Sequence, residues 1–300
     1  MLRKRPKLSV VVVFFNMRRE AVRTLHSLTL GYQQNIQLDD YEVIVVDSGS
    51  SQPLDPSWVE SLQDNFRYAF IQPSAPTPCE AMNHGIRMAK GDWVACAIDG
   101  ARILSPGILQ YSLAALQLRA NAFVYTLGLH LGPDKQNISI EQGYCQSVED
   151  RLLGDSQWEE DGYRLSPISA LAGSAPKGYL GPIAESNFFS VSRQTLLDCG
   201  GFDQSFQSSG GGLVNLDIFK SLLESPSLEP IMLLGEASFH QFHGGVSTNV
   251  PAHKHPIADF HAEYQRIRGR AYEKPVQQPL YFGRIHPLSQ RFLNPPSKPV

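Results

Sequence analysis

The sequence predicts an α/β protein with a mostly parallel central sheet flanked by helices. Two runs, L-S-V-V-V-V-F-F at Leu8–Phe15 and Y-E-V-I-V-V-D at Tyr41–Asp47, are apolar and β-branched without alternation, which marks strands covered on both faces. Helical patterns stand between runs of this kind over roughly the first 130 residues, the rhythm of consecutive βαβ units. Two strands also close on carboxylates, Asp47 and Asp99, at the ends where open α/β sheets receive their ligands.

The elements follow in order. After Leu8–Phe15, the segment Arg18–Leu30 places Val22, Leu25 and Leu28 at helical spacing, and Tyr41–Asp47 returns as a strand. Phe66–Ile71 reads as a short strand, Thr77–Lys90 as a helix stopped by Gly91, and D-W-V-A-C-A-I-D at Asp92–Asp99 as the next strand. A helix over Pro106–Arg119 leads to the strand Ala122–Leu129. From about 131 to 182 the rhythm breaks into Gly, Ser, Pro and acidic residues, read as a partly helical insertion or a mobile loop. Strand character resumes at Ser186–Ser192, a helix is expected over Leu213–Leu223, and two strands are expected at Ile231–Leu234 and Ala237–His240.

A chain of 300 residues holds one elaborated domain with a sizeable core. Its 42% hydrophobic and 18% charged composition, with Gly and Pro dispersed, confines expected disorder to the ends. A formal charge of −3 supplies no global attraction to nucleic acid, and none is expected as a partner. Local basic clusters at Met1–Lys7 and Arg266–Arg270 fit solvated surface on one reading and contact with anionic lipid or a phosphorylated ligand on another. Cys79, Cys96, Cys145 and Cys199 form no C-x-x-C pair, so neither a zinc ribbon nor a disulfide framework is expected. The setting that fits is cytoplasmic, with peripheral contact at the inner face of a membrane left open. The apolar run after the basic N-terminus is too short to span a bilayer, and no transmembrane segment is expected.

No G-x-G-x-x-G turn follows the first strand, which reads F-F-N-M-R-R-E, and no Walker A loop occurs. Dinucleotide and P-loop phosphate cradles are thereby excluded. The strand ends offer Asn16, Asp47 with Ser48-Gly49-Ser50-Ser51, and Asp99 with Gly100-Ala101-Arg102. A lone Asp at such a place is commonly a turn former. Two on neighbouring strands point instead to one crevice.

The stretches S-V-V-V-V-F-F-N, E-V-I-V-V-D-S-G-S and A-M-N-H-G-I-R-M-A-K-G-D-W-V-A-C-A-I-D-G, in this order, resemble the GT-A glycosyltransferases, specifically family 2. The resemblance covers Lys7–Ser105 and continues more loosely through G-G-F-D at Gly200–Asp203 as far as Gly245. It implies a nucleotide-diphospho-sugar transferase fold with a C-terminal acceptor-side extension. It divides the chain into a GT-A domain over 1–245 and a C-terminal helix, flap and tail over 246–300. Within the domain it implies a nucleotide-sugar half at about 7–130, an insertion at about 131–182 and an acceptor half at about 183–245. It further implies that Asp47 accepts a hydrogen bond from the nucleobase, that Phe14 and Asn16 lie beside base and ribose, that Asn83 matches the asparagine preceding the metal strand, and that Asp99 is the first acid of the family's D-x-D, holding Mn2+ or Mg2+ against the diphosphate.

The sequence departs from the family at two places. The second D-x-D position is Ala101, followed by Arg102, so either Arg102 neutralises diphosphate or further metal ligands come from elsewhere. S-F-H-Q-F-H-G-G at Ser238–Gly245 offers His240 and His243, and one carboxylate, one imidazole and phosphate oxygens make a plausible shell. Residues i and i+3 of a strand face opposite sides. At most one of the pair is therefore expected to bind metal, unless the chain turns at Gln241 or Phe242. In V-N-L-D at Val214–Asp217, Asn215 stands where inverting members carry the base; Asp217 and Glu185 are the candidates that remain. G-G-G-L-V-N-L-D is also similar to a stretch of retaining polypeptide N-acetylgalactosaminyltransferases, which leaves the stereochemistry open. H-K-H at His253–His255 and R-I-R-G-R at Arg266–Arg270 read equally as a surface helix and as a flap of cations over the diphosphate.

The implied activity is transfer of a sugar from a UDP- or GDP-sugar to a hydroxyl of a saccharide, lipid-linked or small-molecule acceptor, with polysaccharide biosynthesis as the family analogy. The alternative is a non-catalytic descendant that binds nucleotide or saccharide. Ala101 and Asn215 favour that alternative; Asp47 and Asp99 oppose it.

Overall fold

The computed structural model describes residues 4–293 and Pro295. Residues 1–3 of the basic cluster Met1–Lys7 and the end of the tail lie outside the described residues. The first strand, β1 (Leu8–Phe14), is followed by α1 (Arg18–His26), β2 (Tyr41–Ser48), α2 (Pro56–Ser61), β3 (Phe66–Ile71), α3 (Cys79–Met88) and β4 (Trp93–Ala97). β1 lies between β2 and β4 and runs parallel to both, while β3 extends the parallel set beyond β2. Local chemistry sets several boundaries. Asp55 caps α2 by accepting a hydrogen bond from the Ser57 N–H at 2.9 Å, with Pro56 at the first helical position.

Then come β5 (Arg102–Leu104), α4 (Ile108–Leu118), β6 (Ala122–Leu131), α5 (Gln136–Ser139), α6 (Gln146–Ser156), β7 (Ser169–Leu171), β8 (Phe189–Ser192), α7 (Arg193–Asp198), α8 (Val214–Leu223), β9 (Glu229–His240), α9 (Ile257–Arg268) and β10 (Leu280–Gly283). The ten-stranded sheet has the order β10-β9-β6-β8-β4-β1-β2-β3, with β5 on β9 and β7 on β6. β8 runs against both of its neighbours, β4 and β6, and the pairs β6–β9 and β9–β10 are again parallel. The sheet is mostly parallel, as expected.

Both faces are covered. Val11, Val13, Ile44 and Val46 pack in one core with Met82 and Ile86 of α3 and Phe219 of α8. Their alternate neighbours Val10, Val12, Val43 and Val45 pack in a second core with Leu25 of α1 and Leu109 of α4. Each fully buried Val side chain contributes roughly 1.5–3 kcal/mol relative to exposure, which accounts for the unbroken β-branched runs.

One expectation changes, and one of two alternatives is settled. The strands expected at Ile231–Leu234 and Ala237–His240 are one continuous β9, with an irregularity where Tyr125 pairs Met232 but Leu127 pairs Ala237. Gly235 sits in this bulge at φ +83°, where an added Cβ would lie 2.1 Å from the Arg284 carbonyl, so only glycine fits. The segment 131–182 takes the partly helical alternative: it carries α5, α6 and β7, and Leu153, Trp158, Leu165 and Tyr179 belong to the first core. No helix among the described residues is long and apolar enough to cross a membrane, and all four cysteines are free.

Candidate active site

The parallel strands β1, β2, β3 and β4 deliver their C-terminal ends to one edge of the sheet, and a cleft of about 700 Å³ opens there. Residues from the far side of the fold close it. Glu185 and Asn187 come from the approach to β8, Asn215 from the start of α8, and His240 and His243 from the end of β9.

β1 ends in F-F-N, and the structure reverses the expected order of its aromatics. Phe14 is 0% exposed and belongs to the second core, whereas Phe15, 54% exposed, lines the cleft. The backbone then turns through Asn16 at φ +54°, a left-handed conformation that asparagine tolerates better than most residues. Asn16 lines the cleft and also ties two strand ends together. Its N–H donates to Ser50 Oγ at 2.8 Å, and its Oδ1 accepts from the Ser51 N–H at 2.9 Å.

Asp47 does not line the cleft. It is 0% exposed, and its two oxygens accept the N–H groups of Ser50 at 3.0 Å and Leu54 at 2.9 Å, so this carboxylate shapes the loop after β2. Ser48 and Gly49, immediately after it, are the residues that face the cleft. Asn83 is likewise internal. Its amide donates to the Phe202 carbonyl and accepts the Phe202 N–H, both at 2.8 Å, fastening G-G-F-D to α3. The two acidic strand tips therefore share an edge of the sheet, but only Asp99 faces the cavity.

Asp99 is the centre of the site. After β4 the chain passes under Phe14 at Gly100, where a Cβ would lie 2.5 Å from the Val13 carbonyl. Asp99 Oδ1 accepts the Ala101 N–H at 3.0 Å, and Oδ2 lies 3.2 Å from His240 Nε2 and 3.2 Å from Arg102 Nε. His243 Nε2 is 3.9 Å from Asp99 Oδ1 and 3.2 Å from His240 Nε2. The expectation that only one histidine reaches the ion site gives way to its stated exception, because the chain leaves β9 at His240 and turns through Gln241 and Phe242.

That turn is firmly held. The Gln241 N–H donates to the Ala101 carbonyl at 2.8 Å, and its Nε2 donates to Thr24 Oγ1 at 3.1 Å. The Phe242 N–H donates to Glu149 Oε2 at 2.7 Å, and Arg19 Nη1 donates to the Phe242 carbonyl at 3.2 Å. Glu149 belongs to α6, so the insertion supports the turn that brings both imidazoles together. Sequence reasoning assigned it no such role.

The donor set fits a divalent cation. One ligand atom each from Asp99, His240 and His243 lies within 4.8 Å of the others. Burial opposes ionisation of Asp99, but His240, His243 and Arg102 around it outweigh burial and hold its carboxyl well below the usual range. Burial lowers the His240 pKa to about 4 against the opposing pull of Asp99. Near neutral pH the pair thus stands as carboxylate and neutral imidazole, the forms that ligate metals. Ala101 is buried and offers no ligand.

Arg102 fills the wall between Asp99 and Glu185. Its pKa is lowered by burial, with Asp99 and Glu185 opposing the shift. Nε and Nη1 are buried with no hydrogen-bond partner among the described residues, so the 3.2 Å approach to Asp99 is an ion-pair contact without hydrogen-bond alignment. Glu185 Oε2 accepts the Asn215 Nδ2 amide at 2.8 Å, and both residues line the cleft.

Asp217 does not line it. Arg268 of α9 holds it in a two-pronged pair, Nε to Oδ1 at 2.8 Å and Nη2 to Oδ2 at 2.6 Å, and also reaches Asp203 at 2.8 Å. Asp217 is an anchor for α9. Of the basic C-terminal residues, Arg268 is committed to that anchor and Arg266 faces Glu263 at 3.8 Å, so the surface-helix reading describes them. The segment that walls the cleft is His243–Thr248.

A model of the family described as glycosyl transferase family 2 matches residues 9–100. Validoxylamine A glucosyltransferase of Streptomyces hygroscopicus subsp. jinggangensis (strain 5008) is 28% identical over 227 residues, 70% of this chain and 50% of that protein. The chain thus spans about half the length of this curated relative. Among solved structures, S. aureus TarS 1–349 in complex with UDP-GlcNAc aligns with a TM-score of 0.53 at 15% identity, covering 89% of this chain and 68% of that one. The mannosyltransferase PcManGT from Pyrobaculum calidifontis, in complex with GDP-Man and Mn2+, aligns with a TM-score of 0.50 at 16% identity, covering 90% and 66%. At these identities the structures speak for the GT-A fold, and the match to the family 2 glycosyltransferase model covers the strands and strand ends that build the cleft.

Proposed function

We propose that the protein transfers a sugar from a nucleoside-diphosphate donor, UDP- or GDP-linked, to an acceptor hydroxyl, with a divalent cation held by Asp99, His240 and His243. The observation that carries this reading is the convergence of those three side chains at one end of a cleft whose other wall presents Glu185. The family supplies sugar transfer as the reaction class, and relatives of the same fold are described with UDP-GlcNAc or with GDP-Man and Mn2+.

In this reading Phe15, Asn16 and Ser48 border the nucleoside, and the diphosphate lies against Asp99. A bound cation supplies positive charge opposite the diphosphate as it departs. The chain adds a second positive charge there, since the buried Arg102 guanidinium has two N–H groups, Nε and Nη1, without a hydrogen-bond partner among the described residues, and an oxyanion satisfies a desolvated guanidinium well. Arg102 thereby offsets the acid lost at Ala101.

On the acceptor side Glu185 takes the proton of the attacking hydroxyl. The Asn215 amide fixes its Oε2 and leaves the other carboxylate oxygen for the acceptor. Asn215, which cannot itself take a proton at neutral pH, acts as orienter of the base. The acceptor is a saccharide, a lipid-linked sugar or a small molecule.

Asp99→Ala is expected to abolish transfer from UDP- or GDP-sugars; wild-type turnover in that variant contradicts the metal assignment. A second reading, a nucleotide- or saccharide-binding descendant without catalysis, is favoured by Ala101 alone now that Asn215 has a role beside Glu185. Calorimetry with UDP- and GDP-sugars followed by assays of donor hydrolysis separates the two, because the second reading requires tight binding with no turnover for any acceptor.

A further inference from the structure

Gln136 opens α5 in the insertion and is fully buried beside His240. Its Nε2 donates to the His240 carbonyl at 2.9 Å. A carbonyl only accepts, so the amide orientation is fixed, and Oε1 must be the atom 2.7 Å from His240 Nδ1 and 2.8 Å from Asn249 Nδ2. An amide oxygen facing Nδ1 requires the proton on Nδ1. In the neutral ring the lone pair is then on Nε2, the atom 3.2 Å from Asp99 Oδ2 and 3.2 Å from His243 Nε2.

Asn249, held by the same oxygen, organises the other imidazole. Its Oδ1 accepts three consecutive backbone donors, His243 N at 3.1 Å, Gly244 N at 2.9 Å and Gly245 N at 3.0 Å. These bonds close the turn that presents His243. One pair of amides therefore sets the tautomer of one imidazole and the backbone of the other.

We propose that Gln136 and Asn249 are the positioning pair of the cation site, with Gln136 holding His240 as the Nδ1–H tautomer so that Nε2 binds the ion, and Asn249 folding the His243 turn against it. The inference rests on the metal reading above for its purpose, but its geometry belongs to residues outside the ligand set. It also gives the 131–182 insertion a function. This segment supplies Gln136 for the tautomer and Glu149 for the turn at Phe242, and so supports a ligand set in which imidazoles stand in for the acid missing at Ala101. Partners of this kind, which bond the far nitrogen of a ligating histidine, characteristically shift metal affinity by about 10–100-fold.

The test uses the full chain. Two-bond 1H–15N correlation spectra of the metal-free protein read the His240 tautomer, and electron paramagnetic resonance titration with Mn2+ and UDP reads affinity. The wild type is expected to show Nδ1–H at His240. Gln136→Leu is expected to show a mixed tautomer and to weaken Mn2+ binding about 10–100-fold. Gln136→Glu keeps an acceptor for Nδ1–H and is expected to hold the tautomer and bind Mn2+ more tightly than Gln136→Leu. Asn249→Ala is expected to weaken Mn2+ binding with the His240 tautomer retained, and it carries the test should Gln136→Leu not fold. An Nε2–H tautomer in the wild type, or unchanged tautomer and affinity in Gln136→Leu, overturns the inference. Failure of the wild type to bind Mn2+ removes the metal reading instead, and the spectra still decide the part played by Gln136.

Discussion

One carboxylate and two imidazoles converge at Asp99, His240 and His243 and would offer a cation a nitrogen-rich set of ligands. Mg2+ favours oxygen ligands in strict octahedral geometry, whereas imidazole suits first-row transition ions. Activity lost to a chelator is therefore expected to return with Mn2+ or Co2+ and not with an equal concentration of Mg2+, and equal rescue by Mg2+ would argue against imidazole ligation. Glu185 belongs to the same scale. Glu185→Gln keeps the hydrogen bond with Asn215 within reach but removes the proton acceptor, so kcat is expected to fall by roughly 10²–10⁴-fold with little change in donor affinity; full turnover would exclude the base. The sequence displayed Asp99 because it stands at the first acid of the family's D-x-D, and both histidines because they stand three residues apart at the end of a late strand, after the second acid is lost at Ala101. It set Phe14 beside the cleft, where Phe15 stands instead, since β1 is buried on both faces and its residues carry no alternation from which to tell one face from the other. Asn83 and Asp217 looked available because their partners, Phe202 and Arg268, lie 119 and 51 residues away.

At the scale of elements, α9 is joined by charge to α8 and to the loop beside the cleft. Arg268 grips Asp217 of α8 and Asp203, and Glu263 accepts the N–H groups of Gln207 at 2.8 Å and Ser208 at 2.9 Å, just ahead of the glycine loop that borders the cleft. Asp217 is nearly buried while Arg268 keeps part of its surface in water, so the pair is worth more than a surface contact and less than a fully desolvated one. Arg268→Ala is expected to destabilise the protein by roughly 1–3 kcal/mol, read as a lower urea midpoint, with any loss of activity following the loss of fold. β9 was legible as two strands because Gly235 and Glu236 interrupt its apolar run. The interruption is a bulge, and it turns Glu236 toward Ser105 and Tyr163, whose hydroxyls donate to it at 2.5 and 2.7 Å, while the Gly107 N–H before α4 donates at 3.1 Å.

Across the whole molecule Glu236 links three layers, and its ionisation affects global stability. Burial raises its carboxyl from the usual 4.5 to about 7, with the three hydrogen bonds opposing the shift. The folded chain thus keeps a proton that the unfolded chain releases between those values. Its contribution is complete below about pH 4.5 and is lost as pH climbs through 7, on the order of 3 kcal/mol in all. Glu236→Gln is expected to flatten this part of the stability–pH curve and to match or exceed the wild type at pH 8 in thermal melting. An unchanged slope in the variant would show that the titrating group lies elsewhere. The architecture was largely readable from sequence, since β-branched runs and intervening helical patterns report burial directly. The 131–182 segment was not, because its short helices and its contacts, Gln136 to His240 and Glu149 to Phe242, depend on residues about a hundred positions away. The measurement that bears most directly on the whole account is an anomalous-scattering map of a crystal grown with UDP and Mn2+. The account predicts one manganese peak bounded by Asp99, His240 and His243, with the diphosphate between it and Arg102. A peak away from that triad, or nucleotide bound outside the cleft, would contradict it.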